Sequence, residues 1–148
     1  MSRATELNNK ISMCVAMCNT LLQNVATTVH NDFPYDPMIS THASALTDFI
    51  KNKPLEPISL FLMHVYANDS YRKNLITKND SFFMANTYDN ITGSDNKKIE
   101  MMFTFKQQWN NMSDELKNYI KDSMATLVEI CRQYVEYKGL LSDISKSK

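Results

Sequence analysis

Glycine is nearly absent: Gly93 and Gly139 are the only two in 148 residues, where average usage is about 7%. A chain this poor in glycine does not build the glycine-rich loops that cradle phosphate, and it lacks the Walker and dinucleotide fingerprints. Arginine is scarce too, at 3 residues against 13 lysines. Proline numbers 4 and cysteine 3. An odd, small cysteine count excludes a disulfide scaffold, and Cys14, Cys18 and Cys131 read as reduced thiols inside helices, which fits a reducing compartment. No charge sign is in excess, since 16 basic residues meet 16 acidic ones. Long apolar runs are missing as well. The most apolar stretch, residues 57–67, is about half of the roughly 20 residues that span a bilayer. The N-terminus shows no apolar leader. An intracellular location is therefore expected.

What is present is helical periodicity. Leu7, Ile11, Cys14, Cys18, Leu21, Val25 and Val29 recur at intervals of three and four, the spacing of one helix face. The spacing predicts a helix from Thr5, its N-cap, to His30. Pro34 and Pro37 break it. A second helix is expected from Ser40 or Thr41 to Asn52, with Ala43, Leu46, Phe49 and Ile50 inward. Residues 58–66 are apolar nearly all round, which predicts a central, most buried helix. Short helices follow near Asp69 and Asp80. Residues 86–96 form the one turn-rich loop, with Gly93 inside it. A helix over residues 96–111 would bury Phe105 and Trp109. Ser113 caps the last long helix, whose stripe runs from Leu116 through Ile120, Leu127 and Cys131 to Val135. Gly139 is placed as the residue that ends it. The fold class is thus all-α: a compact single-domain bundle of five to seven helices around an apolar central helix, spanning residues 1–141, with a polar tail at 142–148.

Catalytic motifs are missing. No G-x-S-x-G, H-E-x-x-H or helical E-x-x-H pattern occurs. Cys14 and Cys18 share a helix face, but a structural zinc needs four ligands, and small buried residues between helices are the simpler reading. His64 sits in the most apolar segment and reads as a buried, hydrogen-bonded histidine. No catalytic residue, metal site or cofactor is predicted. Residues 1–68 carry net charge −1 and residues 69–148 net +1, which does not make a nucleic-acid-binding face. Interaction remains. Phe33, Tyr35, Met38, Phe82, Phe83 and Tyr88 lie in loops or short elements rather than on helical stripes. An exposed cluster of them would mark a partner surface.

The abundance of Asn, Lys, Ile, Phe, Tyr and Met against Gly, Ala and Arg points to an AT-rich genome. In the second half, Ile76, Asp80, Phe82, Phe83, Phe105, Trp109, Ser113, Lys117 and Tyr119 form a run. It resembles small all-helical proteins of nucleocytoplasmic large DNA viruses. That resemblance implies an all-helical viral protein and carries no activity. The expected function is a non-enzymatic structural or interaction protein, viral in origin, in a virion or host cytoplasm, with a protein partner or a second copy. An accessory factor for nucleic acid or transcription is the alternative. A Bcl-2-like helical inhibitor, by architecture alone, or a small enzyme comes after it.

Overall fold

A computed structural model describes residues 2–79 and 108–146. These residues are helical throughout, joined by short turns. Helix α1 spans Arg3–Asp32, α2 Pro37–Asn52, α3 Glu56–Phe61, α4 Asp69–Ile76 and α5 Asp114–Lys146. Between α3 and α4 the chain widens into a π turn, Leu62–Tyr66. The all-α expectation holds.

Two long helices, α1 and α5, form the frame. They run antiparallel. Near one end Lys10 sits over the Tyr137 ring, and at the other Val25, Val29 and Phe33 pack on the cluster containing Leu116 and Ile120. The stripe read from α1 is the buried face, with Leu7, Ile11, Cys14, Val15 and Cys18 inward. The α5 stripe likewise buries Leu116, Ile120, Leu127, Val128 and Cys131. Burial of these apolar faces, rather than intrinsic propensity, holds helices of this length in place.

The core has two lobes. One gathers Tyr71, Leu75, Trp109, Met112, Leu116, Ile120 and Val128. The other gathers Cys14, Val15, Cys18, Ile58, Leu127, Ile130 and Cys131. Phe61, Tyr66 and Met124 touch both.

The segment expected to be the central, most buried helix is helical and lies against both long helices. Its burial is one-sided, however. Ile58 is wholly enclosed, whereas Leu60 is 38% and Met63 65% exposed. Apart from Ile58, the most enclosed residues, Cys14, Cys18, Leu127 and Cys131, belong to the α1–α5 seam instead. An apolar composition without periodicity gives no inward face to read, and α1, α4 and α5 pack on one side of the segment and leave Leu60 and Met63 exposed on the other. The π turn has its own hydrogen bond, from Ala67 N–H to the Leu62 carbonyl at 3.0 Å, five residues apart as such turns require.

Helix ends differ from the sequence reading in instructive ways. Ser2, not Thr5, caps α1, its Oγ accepting from Thr5 N–H at 3.1 Å. Both are cap-type residues, and the earlier one takes the role because it frees Thr5 to enter the first turn. Helix α2 begins at Pro37, three residues before the expected start, since proline is well suited to a first helical position and Asp36 caps it. Ser113 caps α5 as expected, accepting from Leu116 N–H at 3.1 Å. Two residues past the end of α4, Lys78 is in the left-handed region at φ 57°, and its ammonium pairs with Asp122 of α5 at 2.7 Å.

Gly139 does not end α5. The helix runs through it to Lys146, so residues 142–146, expected as a polar tail, are its final turns. Leu141 and Ile144 are half-buried and extend the stripe beyond the glycine. A Cβ built on Gly139 meets nothing within 4 Å. Gly139→Ala should therefore stabilise the protein by about 0.5–1 kcal/mol, by removing the entropic cost of glycine in a helix. A higher midpoint in chemical denaturation checks this; a lower one contradicts it.

Candidate functional site at the α1–α2 corner

Of the six loop aromatics and methionines singled out in the sequence, Phe82, Phe83 and Tyr88 lie outside the described residues, as does Gly93. The other three meet at one place. Phe33, Tyr35 and Met38 line a depression of about 540 Å³ at the corner between α1 and α2, together with Asp32, Pro34 and Gln108.

The corner is built by short-range chemistry. Phe33 closes α1 with its N–H on the Val29 and His30 carbonyls, at 3.1 and 3.2 Å. Its half-buried ring packs on the core lobe around Trp109. The Asp36 N–H reaches back to the Phe33 carbonyl at 3.2 Å, closing a four-residue turn with Pro34 in the position that favours proline. Tyr35, next in that turn, points outward and is 96% exposed. Phe33 thus pins the loop to the body while Tyr35 does not, because the tight turn directs their side chains apart.

Asp36 organises the corner. One carboxylate oxygen accepts from Met38 N–H at 2.9 Å and Ile39 N–H at 3.2 Å. The other accepts from the Gln108 amide at 2.7 Å, bringing residue 108 to the start of α2. The Ile39 amide, then Gln108 and Met38, with His42 nearby, hold its carboxyl below the usual range against the opposing effect of burial. Asp36 and Gln108 were not foreseen as members of this site. The Asp-Pro pair was a readable cap signal for the first; nothing local signals the second, which arrives from 72 residues away.

His30 and His42 flank the corner. His30 Nδ1 lies 3.3 Å from Ser40 Oγ. That contact has the atoms of a nucleophile and a base, but neither residue lines the depression. His42 buries Nε2 without a hydrogen-bond partner. His64 lies half-buried in the π turn.

The three cysteines do meet. Cys14, Cys18 and Cys131 are 2%, 0% and 0% exposed and belong to one core lobe. All three are free thiols. Burial raises the Cys18 thiol to about 11. Burial, with the neighbouring Cys18 and Cys14, raises Cys131 to about 12. Thiols held protonated in this way are poor nucleophiles and poor ligands. Among the described residues no group of three or more His, Cys, Asp or Glu is placed to hold a metal ion, and no helix is long and apolar enough to cross a membrane.

Comparison with known proteins finds no matching family model, no similar curated protein and no similar solved structure.

Proposed function

We propose that this is a non-enzymatic interaction protein that docks a protein partner through the α1–α2 corner, inside the cell. The observation that carries the reading is Tyr35, a large ring 96% exposed on a turn held rigid from both sides. Tyrosine is enriched where partners meet, and Tyr35 stands open at the mouth of a depression that Phe33 and Met38 also line. Pro34, Pro37 and the Asp36 cap fix the backbone beforehand, which reduces the ordering cost of docking. The reduced, enclosed thiols suit an intracellular setting, and the AT-rich composition suits a viral source.

The nucleic-acid reading is less well supported because the chain has no net charge and three of its described cations are paired within the fold. Arg72 pairs with Asp69, Lys78 with Asp122, and Arg132 with Glu129 and Glu136. Duplex binding would instead gather free cations on one face. The Bcl-2-like reading needs an apolar groove a helix can lie in, and the depression is one corner long.

A photo-crosslinking residue in place of Tyr35, expressed in the native cells, tests the proposal. It should give a discrete adduct, absent when the same group replaces exposed Ser142 on α5. Monomer alone at both positions would defeat the reading. An adduct of twice the chain's mass would make the partner a second copy.

A further inference from the structure

The corner sits in an unusual electrostatic setting. Between Lys10 and Lys51 there is no lysine or arginine, while Asp32, Asp36 and Asp48 fall in that interval. The 40 residues between those two lysines, which hold most of α1 and α2 and the corner that joins them, carry three carboxylates and no lysine or arginine. Asp36 is consumed by its cap. Asp32 is not. It is the last residue of α1 and is exposed, and no ion pair to it is found among the described residues. A carboxylate there is placed against the helix, because the free carbonyls of a C-terminal turn already make that end negative. Helix C-termini favour lysine, arginine or histidine; the last turn of α1 has His30, but it also ends on Asp32, which has no ion pair among the described residues and lines the same depression as Tyr35.

Elsewhere the chain shows what its aromatic rings take. Tyr137 carries Lys10, Tyr66 carries Arg72, Trp109 carries Lys117 and Tyr134 carries Lys138, all between 5.3 and 5.7 Å from the ring centre. Tyr35 has the same chemistry, and among the described residues no cation lies over its ring. Ring, carboxylate and negative helix end converge on one depression with room for a side chain.

We infer that the α1–α2 corner binds an arginine or lysine side chain of the partner, stacked on Tyr35 and paired with Asp32, so that the partner segment is basic. This rests on the docking reading above and adds the partner's chemistry. A guanidinium fits best: it is planar, stacks on an aromatic face and donates to a carboxylate in the same plane. The shallow floor of Phe33, Pro34 and Met38 takes the aliphatic stem.

The test is a titration of the isotope-labelled full chain with an acetylated, amidated Gly-Gly-Arg-Gly-Gly peptide, followed by amide shifts. A peptide with citrulline in place of arginine has nearly the same shape without the charge. Saturable shifts at Asp32 and Tyr35 are expected with arginine, weakened by added salt and lost with citrulline. Tyr35→Ala should weaken binding about fivefold and Asp32→Asn about threefold, while Tyr35→Phe keeps the ring and the affinity. All three replace exposed side chains and leave the fold intact. Equal binding of the citrulline peptide, or affinities unmoved by Tyr35→Ala and Asp32→Asn, would overturn the inference. So would a crosslink from position 35 into a partner segment without arginine or lysine, although docking itself would then stand. Absence of any adduct defeats both.

Discussion

Leu127→Ala is expected to cost about 3–4 kcal/mol of stability. Leu127 is 0% exposed and sits in the core lobe where Cys14 and Cys18 of α1, Ile58 of α3 and Cys131 of α5 come together. Truncation leaves a void walled by three helices. Two of them are held in register along the rest of their length, so the walls cannot collapse inward, and the upper part of the range applies. Chemical denaturation gives the answer directly. Leu127→Met, which nearly conserves volume, should cost less than about 1.5 kcal/mol and serves as the matched control. A loss below about 1 kcal/mol for the alanine variant would mean that the α1–α5 seam is looser than the packing indicates.

The second large effect is alkaline destabilisation. Unfolding returns Cys18 and Cys131 to the ordinary thiol value of 9.0, from about 11 and about 12 in the core. Both folded values are raised, so the sign is fixed. Below pH 9 both states hold the thiol protons and this contribution to stability is complete. Above it the unfolded chain releases them while the folded core cannot. Stability then falls by up to about 1.4 kcal/mol per pH unit for each thiol. The loss is finished only beyond about pH 11 for Cys18 and about pH 12 for Cys131. Tyrosines and lysines also titrate in this range, so the decisive comparison is with Cys18→Ala/Cys131→Ala, whose denaturation midpoint should fall less steeply with pH. Parallel profiles would contradict the assignment. Should the double variant fail to fold, the native thiols can be labelled with a thiol-specific disulfide reagent. Labelling only at the rate of unfolding supports the enclosed, protonated thiols; rapid labelling of the folded protein rules them out.

These two effects arise from parts of the fold that were largely legible in the sequence. The alternation of three and four residues along α1 and α5 is a direct projection of helix geometry, and Leu7, Ile11, Cys14, Cys18, Leu116, Ile120, Leu127 and Cys131 were readable as inward for that reason. Less legible was anything depending on which neighbour lies opposite. Residues 58–66 show no polar side, so no periodicity announced that Leu60 and Met63 face outward. The meeting of Cys14 and Cys18 with Cys131 depends on the antiparallel register of two helices about a hundred residues apart in the chain. At the corner, the residue types were readable and their arrangement was not. Phe33, Tyr35 and Met38 stood out as large apolar groups in a broken segment, but the outward aim of Tyr35 follows from a turn whose closure is a single backbone hydrogen bond. The free carboxylate of Asp32 became visible only once Asp36 was seen to be occupied.

The π turn has a consequence for how the molecule comes apart. In a regular α-helix, residues five apart diverge around the axis. In the wider turn, a residue and its fifth successor are drawn toward the same side. Phe61 and Tyr66 bracket that turn, and both rings reach both lobes of the core. The lobes thus share two aromatic side chains from one short element, besides Met124 of α5. Neither lobe can open without disturbing rings that belong equally to the other. A division that looks like two cores in cross-section therefore behaves as a single cooperative unit, with the widened turn as its clasp.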